Sequence, residues 1–276
     1  MIGFDFEYYR PRSLQEAAGL FQRLKAAGKC PVYYAGGTEL ITFSRVDRIQ
    51  MGAVIDIKAI PETFACGIRD RELVIGASVT LSDLFDHPVF PLLAVTGGRV
   101  ADRTARNKIT VGGNLLSHFI YKEAVLPFLL ADSRMLLAGP RGLTTASIIE
   151  RFDRELRLAD GEWLVQMMTD QKYLSMPYFS VKKRKSDVIG YPLLTLAALK
   201  TEEGIRLAIS GLCDFPFRSG AIENILNDRS LSQKERIKQA IHRIPAPVRD
   251  DWLGSREYRL FVLKNTLEDM FQALGG

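Results

Sequence analysis

Two short glycine motifs constrain this chain more than any other feature of its sequence. The strings VYYAGGTE at Val32–Glu39 and ITVGGN at Ile109–Asn114 each run from β-branched or aromatic residues through a Gly-Gly pair to a polar residue. Such a run predicts a strand that ends in a tight turn. Because glycine has no Cβ, backbone N–H groups in such a turn can approach and surround an anion. Two turns of this kind, facing each other, could hold the two phosphates of a diphosphate.

A Gly-Gly pair alone is weak support for this hypothesis. Glycine makes up 22 of the 276 residues, and four Gly-Gly pairs occur in the chain. An ordinary turn therefore remains open at each motif. Thr38, Thr110 and Asn114 could add hydroxyl or amide donors to a phosphate site. The stretch Asp102–Lys108 reads as a basic loop before the second pair, where it could offset phosphate charge or simply be solvated.

Several classes of protein are disfavoured by motifs that the chain lacks. No string matches GxGxxG, GxxxxGK[ST] or GxSxG, which argues against a Rossmann dinucleotide fold, a P-loop enzyme and an α/β-hydrolase. The three cysteines, Cys30, Cys66 and Cys213, stand alone without a CxxC, whereas an iron–sulfur cluster needs about four thiolates. The three histidines lack zinc-binding spacing, so no metal site is expected.

Charge and hydropathy indicate where the protein acts. Lysine and arginine number 37 and aspartate and glutamate 32, giving a net charge of +5 that is too small to indicate a nucleic-acid partner. The longest apolar stretches fall far short of the roughly 18 residues of a membrane span. The N-terminus shows no basic segment followed by an apolar one, so no signal peptide is expected. These features predict a cytoplasmic protein with no membrane span.

Hydrophobic periodicity predicts both helices and strands along the chain. Ser13 can cap a helix over Ser13–Ala27, and the GPRG turn at Gly139–Gly142 joins the two strands of a hairpin. The remaining predicted strands are Val32–Ala35, Ala53–Ile57, Leu73–Ala77, Trp163–Met168, Tyr191–Leu199 and Gly204–Leu212. The remaining predicted helices are Leu81–Asp86, Pro91–Val100, Ala124–Ala131, Ser219–Asn227, Ser232–Ile241 and Ser255–Leu274.

A change of composition near residues 169–177 predicts a domain boundary. The stretch Asp170–Lys185 is polar and basic, and Lys182–Lys185 is the densest positive run, either a solvated face or a surface for an anionic cofactor or partner. Strands followed by helices predict a small α+β domain after this boundary. We expect three units: residues 1–57, 58–169 and 177–276.

The two glycine motifs and their flanks resemble the FAD-binding subunit of the xanthine dehydrogenase family of molybdenum hydroxylases. AGGTEL at Ala35–Leu40 and RNKITVGGNL at Arg106–Leu115 match the family's two loops, and Gly37 and Gly112 lie 75 residues apart. Similarity extends to DHPVFPLLA at residues 86–94, to Pro127 and to DDWLGSREYR at residues 250–259. The resemblance covers nearly the whole chain.

The resemblance implies an α+β fold and a set of FAD contacts. The fold is a two-subdomain FAD-binding fold of the PCMH type, with FAD in the cleft, followed by a C-terminal domain of a small antiparallel sheet and helices. Glu123 stands where the family usually has aspartate, Glu39 replaces the commoner aspartate or serine, and Trp163 and either Lys182 or Lys183 fall near family flavin contacts. The implied contacts of the two loops, made largely through backbone N–H groups, are Val32, Tyr33, Tyr34, Ala35, Gly36, Gly37, Thr38, Glu39, Ile109, Thr110, Val111, Gly112, Gly113 and Asn114.

The resemblance also implies an electron-transfer role with no catalytic residue in this chain. A partner subunit carries the molybdenum cofactor and hydroxylates a substrate, and two [2Fe–2S] clusters in another partner pass electrons to FAD, which reduces NAD⁺ or another acceptor. We expect a heterotrimer or a dimer of heterotrimers. Xanthine or another purine is the leading substrate; nicotinate, aldehydes and carbon monoxide remain open. The alternatives are a stand-alone flavin oxidoreductase and a non-catalytic assembly subunit that has lost FAD.

The glycines themselves give a first test of this hypothesis. We expect Gly37→Val or Gly112→Val to abolish FAD retention, because a β-branched side chain would occupy the space of the diphosphate.

Overall fold

The N-terminal part of the chain folds as a small parallel sheet flanked by helices. The computed structural model describes residues 1–185 and 190–275. Its first elements are β1 (Glu7–Tyr9), α1 (Leu14–Ala26), β2 (Pro31–Tyr34), α2 (Thr38–Ser44) and β3 (Ala53–Asp56). The strands pair in the order β1-β3-β2, and both pairings are parallel.

Helix α1 forms as its sequence predicts. The Ser13 hydroxyl accepts a hydrogen bond from the Glu16 N–H at 3.2 Å, which satisfies one of the free donors at the helix start. The helix buries one apolar face, which includes Ala17 and Leu20, in a cluster with Ile55 of β3. The prediction of a capped helix over Ser13–Ala27 is confirmed.

The middle part of the chain contains a five-stranded antiparallel sheet with short helices inserted between its strands. Two 3₁₀ turns, Ile57–Ala59 and Pro61–Phe64, lead into it. Its elements are β4 (Cys66–Arg69), β5 (Glu72–Gly76), α3 (Leu81–Asp86), α4 (Pro91–Gly97), α5 (Arg103–Arg106), α6 (Val111–Leu115), α7 (Val125–Leu130), β6 (Arg134–Gly139), β7 (Gly142–Ser147), α8 (Ile148–Arg151), β8 (Phe152–Asp153), β9 (Glu155–Leu156) and β10 (Trp163–Asp170). The strand order is β4-β5-β10-β6-β7, and β6 and β7 form the predicted hairpin.

The C-terminal part of the chain is a four-stranded antiparallel sheet covered by three helices. A 3₁₀ turn at Gln171–Ser175 precedes it. The elements are β11 (Tyr178–Arg184), β12 (Pro192–Thr201), β13 (Gly204–Ser210), β14 (Phe217–Arg218), α9 (Gly220–Leu226), α10 (Gln233–His242) and α11 (Arg256–Leu274). The strands pair in the order β11-β12-β13-β14. This arrangement confirms the predicted α+β character of this part.

Two of the sequence predictions were wrong in ways that affect the site. The stretch Asp102–Lys108 is not a basic loop, because the Asp102 carboxylate caps helix α5 by accepting from the Ala105 N–H at 2.7 Å. The Ile109–Asn114 motif does not end a strand: Thr110 makes a single bridge with Thr80, and helix α6 begins at Val111.

A third prediction missed a strand. The stretch Asp170–Lys185, which its sequence marks only as polar and basic, contains strand β11, since Tyr178–Arg184 pairs along its length with β12. The division into residues 1–57, 58–169 and 177–276 stays a proposal. The largest buried apolar cluster crosses its last boundary, since it combines residues of β5 and α7 with Ala197 and Ala208 of the C-terminal sheet.

None of the helices in residues 1–185 and 190–275 combines the length and hydropathy that a bilayer crossing requires.

Candidate functional site

A cavity of about 690 Å³ lies where the two glycine motifs meet. Turn Ala35–Gly37 forms one side, and helix α6 with the residue before it forms the other. All of the predicted site residues line this cavity except Val32, which lies in β2, and Val111, which is fully buried at the start of α6. The structure therefore brings together residues that are as far apart in sequence as Tyr33 and Lys182.

The first glycine motif presents backbone donors that the protein leaves unsatisfied. Gly37 has a left-handed backbone with φ of +73° and precedes α2 without any side-chain cap. Within the described residues, the N–H groups of Gly36, Thr38 and Glu39 have no hydrogen-bond acceptor. Buried or half-buried N–H groups are normally satisfied, so these donors are available for an anion.

Close packing explains why this turn needs two glycines. A Cβ on Gly36 would lie 1.8 Å from the carbonyl oxygen of Lys108, and a Cβ on Gly37 would lie 2.2 Å from the ring of Tyr34. A larger residue at either position would therefore displace the turn from its packed position even when no ligand is bound.

The second glycine motif uses its N–H groups inside the protein. Those of Val111 and Gly112 donate to the carbonyls of Val79 and Ala77 at 2.9 Å each, and that of Gly113 donates to the Thr110 hydroxyl at 3.1 Å. This arrangement differs from the expectation of a second backbone cradle. The polar groups left on this side are the Thr110 O–H and the Asn114 amide nitrogen, since Asn114 Oδ1 already accepts from the Ala124 N–H at 3.1 Å.

Glu39 connects the two sides of the cavity. Its carboxylate accepts hydrogen bonds from the Ser117 hydroxyl and from the His118 backbone N–H, the latter at 2.7 Å. It also contacts His118 Nδ1 at 2.8 Å. Because Glu39 follows the first motif and Ser117 follows the second, this contact fixes α2 against the end of α6. No motif or spacing pointed to His118, which lies far from the other two histidines in the sequence.

A buried ion pair forms part of the cavity wall. Lys182 Nζ donates to Glu123 Oε1 at 2.6 Å, and the two side chains are 4% and 1% exposed. Lys182 also donates to the carbonyl of Arg99 at 3.0 Å. Burial lowers the pKa of Lys182, and the carboxylate of Glu123 acts in the opposite direction. Both residues were predicted as site residues, but their pairing was not.

Aromatic rings form two further walls. Trp163 lies against Tyr33 with ring centroids 5.3 Å apart, and Tyr33 donates to the carbonyl of Gly161 at 3.1 Å. Burial raises the pKa of Tyr33 well above its ordinary value. On the other side, Tyr121 and Tyr191 stack with centroids 4.6 Å apart, and both line the cavity. Periodicity did not identify these two tyrosines as site residues: Tyr121 lies in an irregular segment, and Tyr191, expected to begin a strand, lies just before β12.

The cavity and its walls form a candidate site for a nucleotide-containing ligand. Its volume falls in the range of ordinary ligand sites, and its walls combine aromatic rings with a few polar groups. A dinucleotide such as FAD fits these residues, because free N–H donors at the first motif suit a diphosphate and the stacked rings suit a flat heterocycle.

Comparison with known proteins identifies the family. A profile described as "FAD binding domain in molybdopterin dehydrogenase" matches residues 4–168. The putative xanthine dehydrogenase FAD-binding subunit XdhB of Escherichia coli (strain K12) is 24% identical over 295 residues, covering 99% of each chain. The nicotinate dehydrogenase FAD-subunit of Eubacterium barkeri is 25% identical over 230 residues, covering 79% of this chain and 75% of the relative.

A solved structure shows the same fold. A chain of the carbon monoxide dehydrogenase from Hydrogenophaga pseudoflava that lacks the Mo-pyranopterin moiety superposes with a TM-score of 0.86, at 24% identity over 99% of this chain and 98% of that chain. Since the family profile spans more than half of the sequence, the chain belongs to the FAD-binding domains of molybdopterin dehydrogenases. The resemblance and the fold class drawn from the sequence are both confirmed.

Proposed function

We propose that this chain is the electron-transfer subunit of a xanthine dehydrogenase-like complex. In this proposal it receives electrons from [2Fe–2S] clusters in one partner subunit and delivers them to NAD⁺, while another partner with the molybdenum cofactor oxidises the substrate. The observation that carries the proposal is the 690 Å³ cavity between two glycine motifs in a chain of this family.

In this proposal, different residues of the cavity hold different parts of FAD. The free N–H groups of Gly36 and Thr38 bind the diphosphate, and the amide of Asn114 donates from the opposite side. Tyr121 and Tyr191 would offer their stacked rings to the flat ring system. FAD, when bound, supplies the capacity to take up and release electrons. This chain positions that group and shapes its surroundings.

No acid or base of this chain needs to act in the proposed function. Glu123 is held by Lys182, and Glu39 is held by Ser117 and His118, so both carboxylates that line the cavity in residues 1–185 and 190–275 already serve structural contacts. The three cysteines are unpaired: Cys30 and Cys66 are exposed and Cys213 is buried. Free thiols are typical of a reducing compartment, which supports a cytoplasmic location. Clusters and molybdenum cofactor then come from partners, in a heterotrimer or a dimer of heterotrimers.

Xanthine or another purine is the substrate class that we propose for the complex. The match with the putative xanthine dehydrogenase subunit extends over 99% of both chains, which supports this choice. Nicotinate is the second candidate, since the nicotinate dehydrogenase subunit is as similar at 25% identity. The assembled complex should be assayed with both substrates and with NAD⁺ and a dye as acceptors. Substrate-dependent reduction of the dye but not of NAD⁺ would reject NAD⁺ as the acceptor.

The first experiment is to purify the chain, record its visible spectrum and identify the released flavin by chromatography. We expect flavin absorbance and about one FAD per chain, as a single site of this size requires. Colourless protein that also refuses added FAD would overturn the proposal and favour an assembly subunit. Flavin reduction by a substrate in the isolated chain would favour a stand-alone oxidoreductase.

A further inference from the structure

Lys58 contacts the first glycine motif from outside the cavity. It follows β3 directly, in the 3₁₀ turn Ile57–Ala59. Because β2 and β3 are parallel, with Tyr34 paired to Asp56, the residues that follow the two strands emerge at the same edge of the sheet. Lys58 therefore lies beside the Ala35–Gly37 turn, although it is not among the residues that line the cavity.

Three contacts fix the Lys58 side chain in this position. Its ammonium donates to the Ala35 carbonyl at 2.9 Å and to Asp56 Oδ1 at 2.8 Å, and it lies 4.2 Å from the centre of the Tyr34 ring. Asp56 is 3% exposed and also accepts from the hydroxyl of Tyr8. Burial would raise the pKa of Asp56, but the hydrogen bonds from Lys58 and Tyr8 lower it below its ordinary value, so the carboxylate stays charged.

These contacts determine how the turn is oriented. In a planar trans peptide the C=O and N–H groups point in opposite directions, so the bond from Lys58 to the Ala35 carbonyl directs the Gly36 N–H away from Lys58. That N–H is one of the donors without an acceptor in the described part of the chain. The Tyr34 ring, with Lys58 on one face, also packs closely against Gly37.

We propose that Lys58 is a positioning residue for the diphosphate of the bound dinucleotide. It holds the Ala35–Gly36 peptide so that the Gly36 N–H faces the phosphates. This inference rests on the proposed binding of FAD. It assigns a role to a residue that neither the glycine motifs nor their spacing identifies.

The test compares FAD with riboflavin, which has the same ring system but no phosphate. Both are titrated into flavin-free full-length protein and followed by flavin fluorescence. Lys58→Met keeps an apolar stem on Tyr34 but removes the charge and the donor. We expect its Kd for FAD to rise about tenfold, as for the loss of one charge-assisted hydrogen bond, while its Kd for riboflavin changes less than twofold.

Two further variants separate positioning from general damage. Lys58→Arg keeps the charge and the donors and should recover most of the FAD affinity. Lys25→Met removes an equal charge from an exposed ion pair with Asp160 and should bind FAD like the parent. Equal weakening of FAD and riboflavin by Lys58→Met, or unchanged FAD binding, would overturn the positioning role. A parent protein that binds neither flavin would instead reject the proposed function, and the inference with it.

Discussion

Gly112 and Gly113 are adjacent in sequence but face different surroundings. A Cβ on Gly112 would lie 2.7 Å from the Cβ of Ala77, inside the protein, whereas a Cβ on Gly113 would lie 3.0 Å from the Thr110 hydroxyl. The expected loss of FAD on substitution of Gly112 would therefore arise from disturbed packing and not from a blocked diphosphate site. The sequence motif alone could not distinguish the two causes.

Substitution of Gly112 should consequently be visible in the protein without flavin. We expect Gly112→Ala to lower the free energy of unfolding of the flavin-free chain by about 2 kcal/mol, because overfilled cores lose about that much. Gly220→Ala is a matched control, since a Cβ there meets nothing within 4 Å. Denaturant unfolding measures both. A Gly112→Ala protein as stable as the control would contradict the packing explanation.

The pair Lys182–Glu123 supports a second prediction at the scale of single residues. Lys182→Met leaves the carboxylate of Glu123, 1% exposed, without its partner. We expect the free energy of unfolding to fall by about 3 kcal/mol, because a single charge left in a protein interior is strongly unfavourable. The double variant Lys182→Met/Glu123→Leu should recover most of this loss.

The control for this pair is its neighbour in the strand. Lys183 contacts Asp269 at 3.6 Å, and both side chains are well exposed. Lys183→Met should change stability by no more than about 0.5 kcal/mol. Urea unfolding measures both variants. If Lys182→Met and Lys183→Met lower the free energy of unfolding equally, the unpaired buried charge of Glu123 is not the cause of the loss.

Single residues were predictable only where a local pattern marked them. The motifs identified Gly36, Gly37 and Asn114, and the family spacing identified Glu123 and Lys182 separately. The ion pair between Glu123 and Lys182 connects residues 59 positions apart, and it depends on the register of β11 against β12. No local pattern carries that information, and the same is true of Lys58, whose role depends on the parallel pairing of β2 with β3.

At the scale of elements, helix α11 is fixed to the C-terminal sheet by Arg259. This side chain is 0% exposed and donates to the carbonyl of Leu193 in β12, to that of Gly211 after β13 at 3.2 Å and to Asp251 Oδ1 at 2.7 Å. Arg249 binds the other oxygen of the same carboxylate at 2.9 Å. The motif at residues 250–259, noticed in the sequence as a family feature, is therefore a structural junction between helix and sheet.

This junction predicts a pH dependence of stability. Burial would raise the pKa of Asp251, but hydrogen bonds from Arg259 and Arg249 lower it below the ordinary value of about 3.9. A lowered carboxylate pKa contributes stability above the ordinary value, and that contribution is lost as the pH falls through the lowered one. Asp251→Asn should cost about 2 kcal/mol at pH 7, and the gap to the parent should narrow below pH of about 4.

Urea unfolding from pH 7 to pH 3 checks this prediction, with Asp250→Asn as control. Asp250 is exposed and makes no hydrogen bond within residues 1–185 and 190–275, so its replacement should leave the pH profile of the parent unchanged. A gap between Asp251→Asn and the parent that stays constant down to pH 3 would show that the carboxylate charge does not stabilise the junction.

Elements were predictable where periodicity and caps agreed. Helix α1 and the β6–β7 hairpin have strong local signals, and both were predicted almost to the residue. Strand β11 was missed because its lysines suggested a solvated run of charge. In the structure one of these lysines, Lys182, is buried in an ion pair with Glu123. Helices α5 and α6 were missed because each is only one turn long, which is too short to show a period.

At the scale of the whole molecule, one carboxylate joins the C-terminal sheet to the middle part of the chain. Asp132 accepts from Arg206 at 2.6 Å and from Arg218 at 2.5 Å. The same arginines donate to the carbonyls of Leu130 and Leu129 at 2.9 Å and 2.7 Å, at the end of helix α7. Positive charge is favourable at a helix C-terminus, so this contact fixes α7 against β13 and β14.

The C-terminal part contributes Lys182, Gly190 and Tyr191 to cavity walls otherwise built from the first 165 residues, so we expect this contact to influence the site. Asp132→Asn removes the charge but keeps the shape, and asparagine tolerates the left-handed backbone at this position, where φ is +46°. We expect the free energy of unfolding to fall by about 1 kcal/mol, a modest value because the carboxylate is 40% exposed. The Kd for FAD should rise a few-fold as the two parts hold each other less firmly.

The proper comparison for Asp132→Asn is Asp153→Asn, which breaks an exposed ion pair with Arg157 inside one part of the chain. Calorimetry and flavin titration of both variants separate surface electrostatics from the joining of the two parts. If FAD binds to the two variants equally well, the contact of Asp132 with the two arginines adds nothing to the site. If only Asp132→Asn binds FAD more weakly, flavin affinity depends on how firmly the sheet is joined to α7.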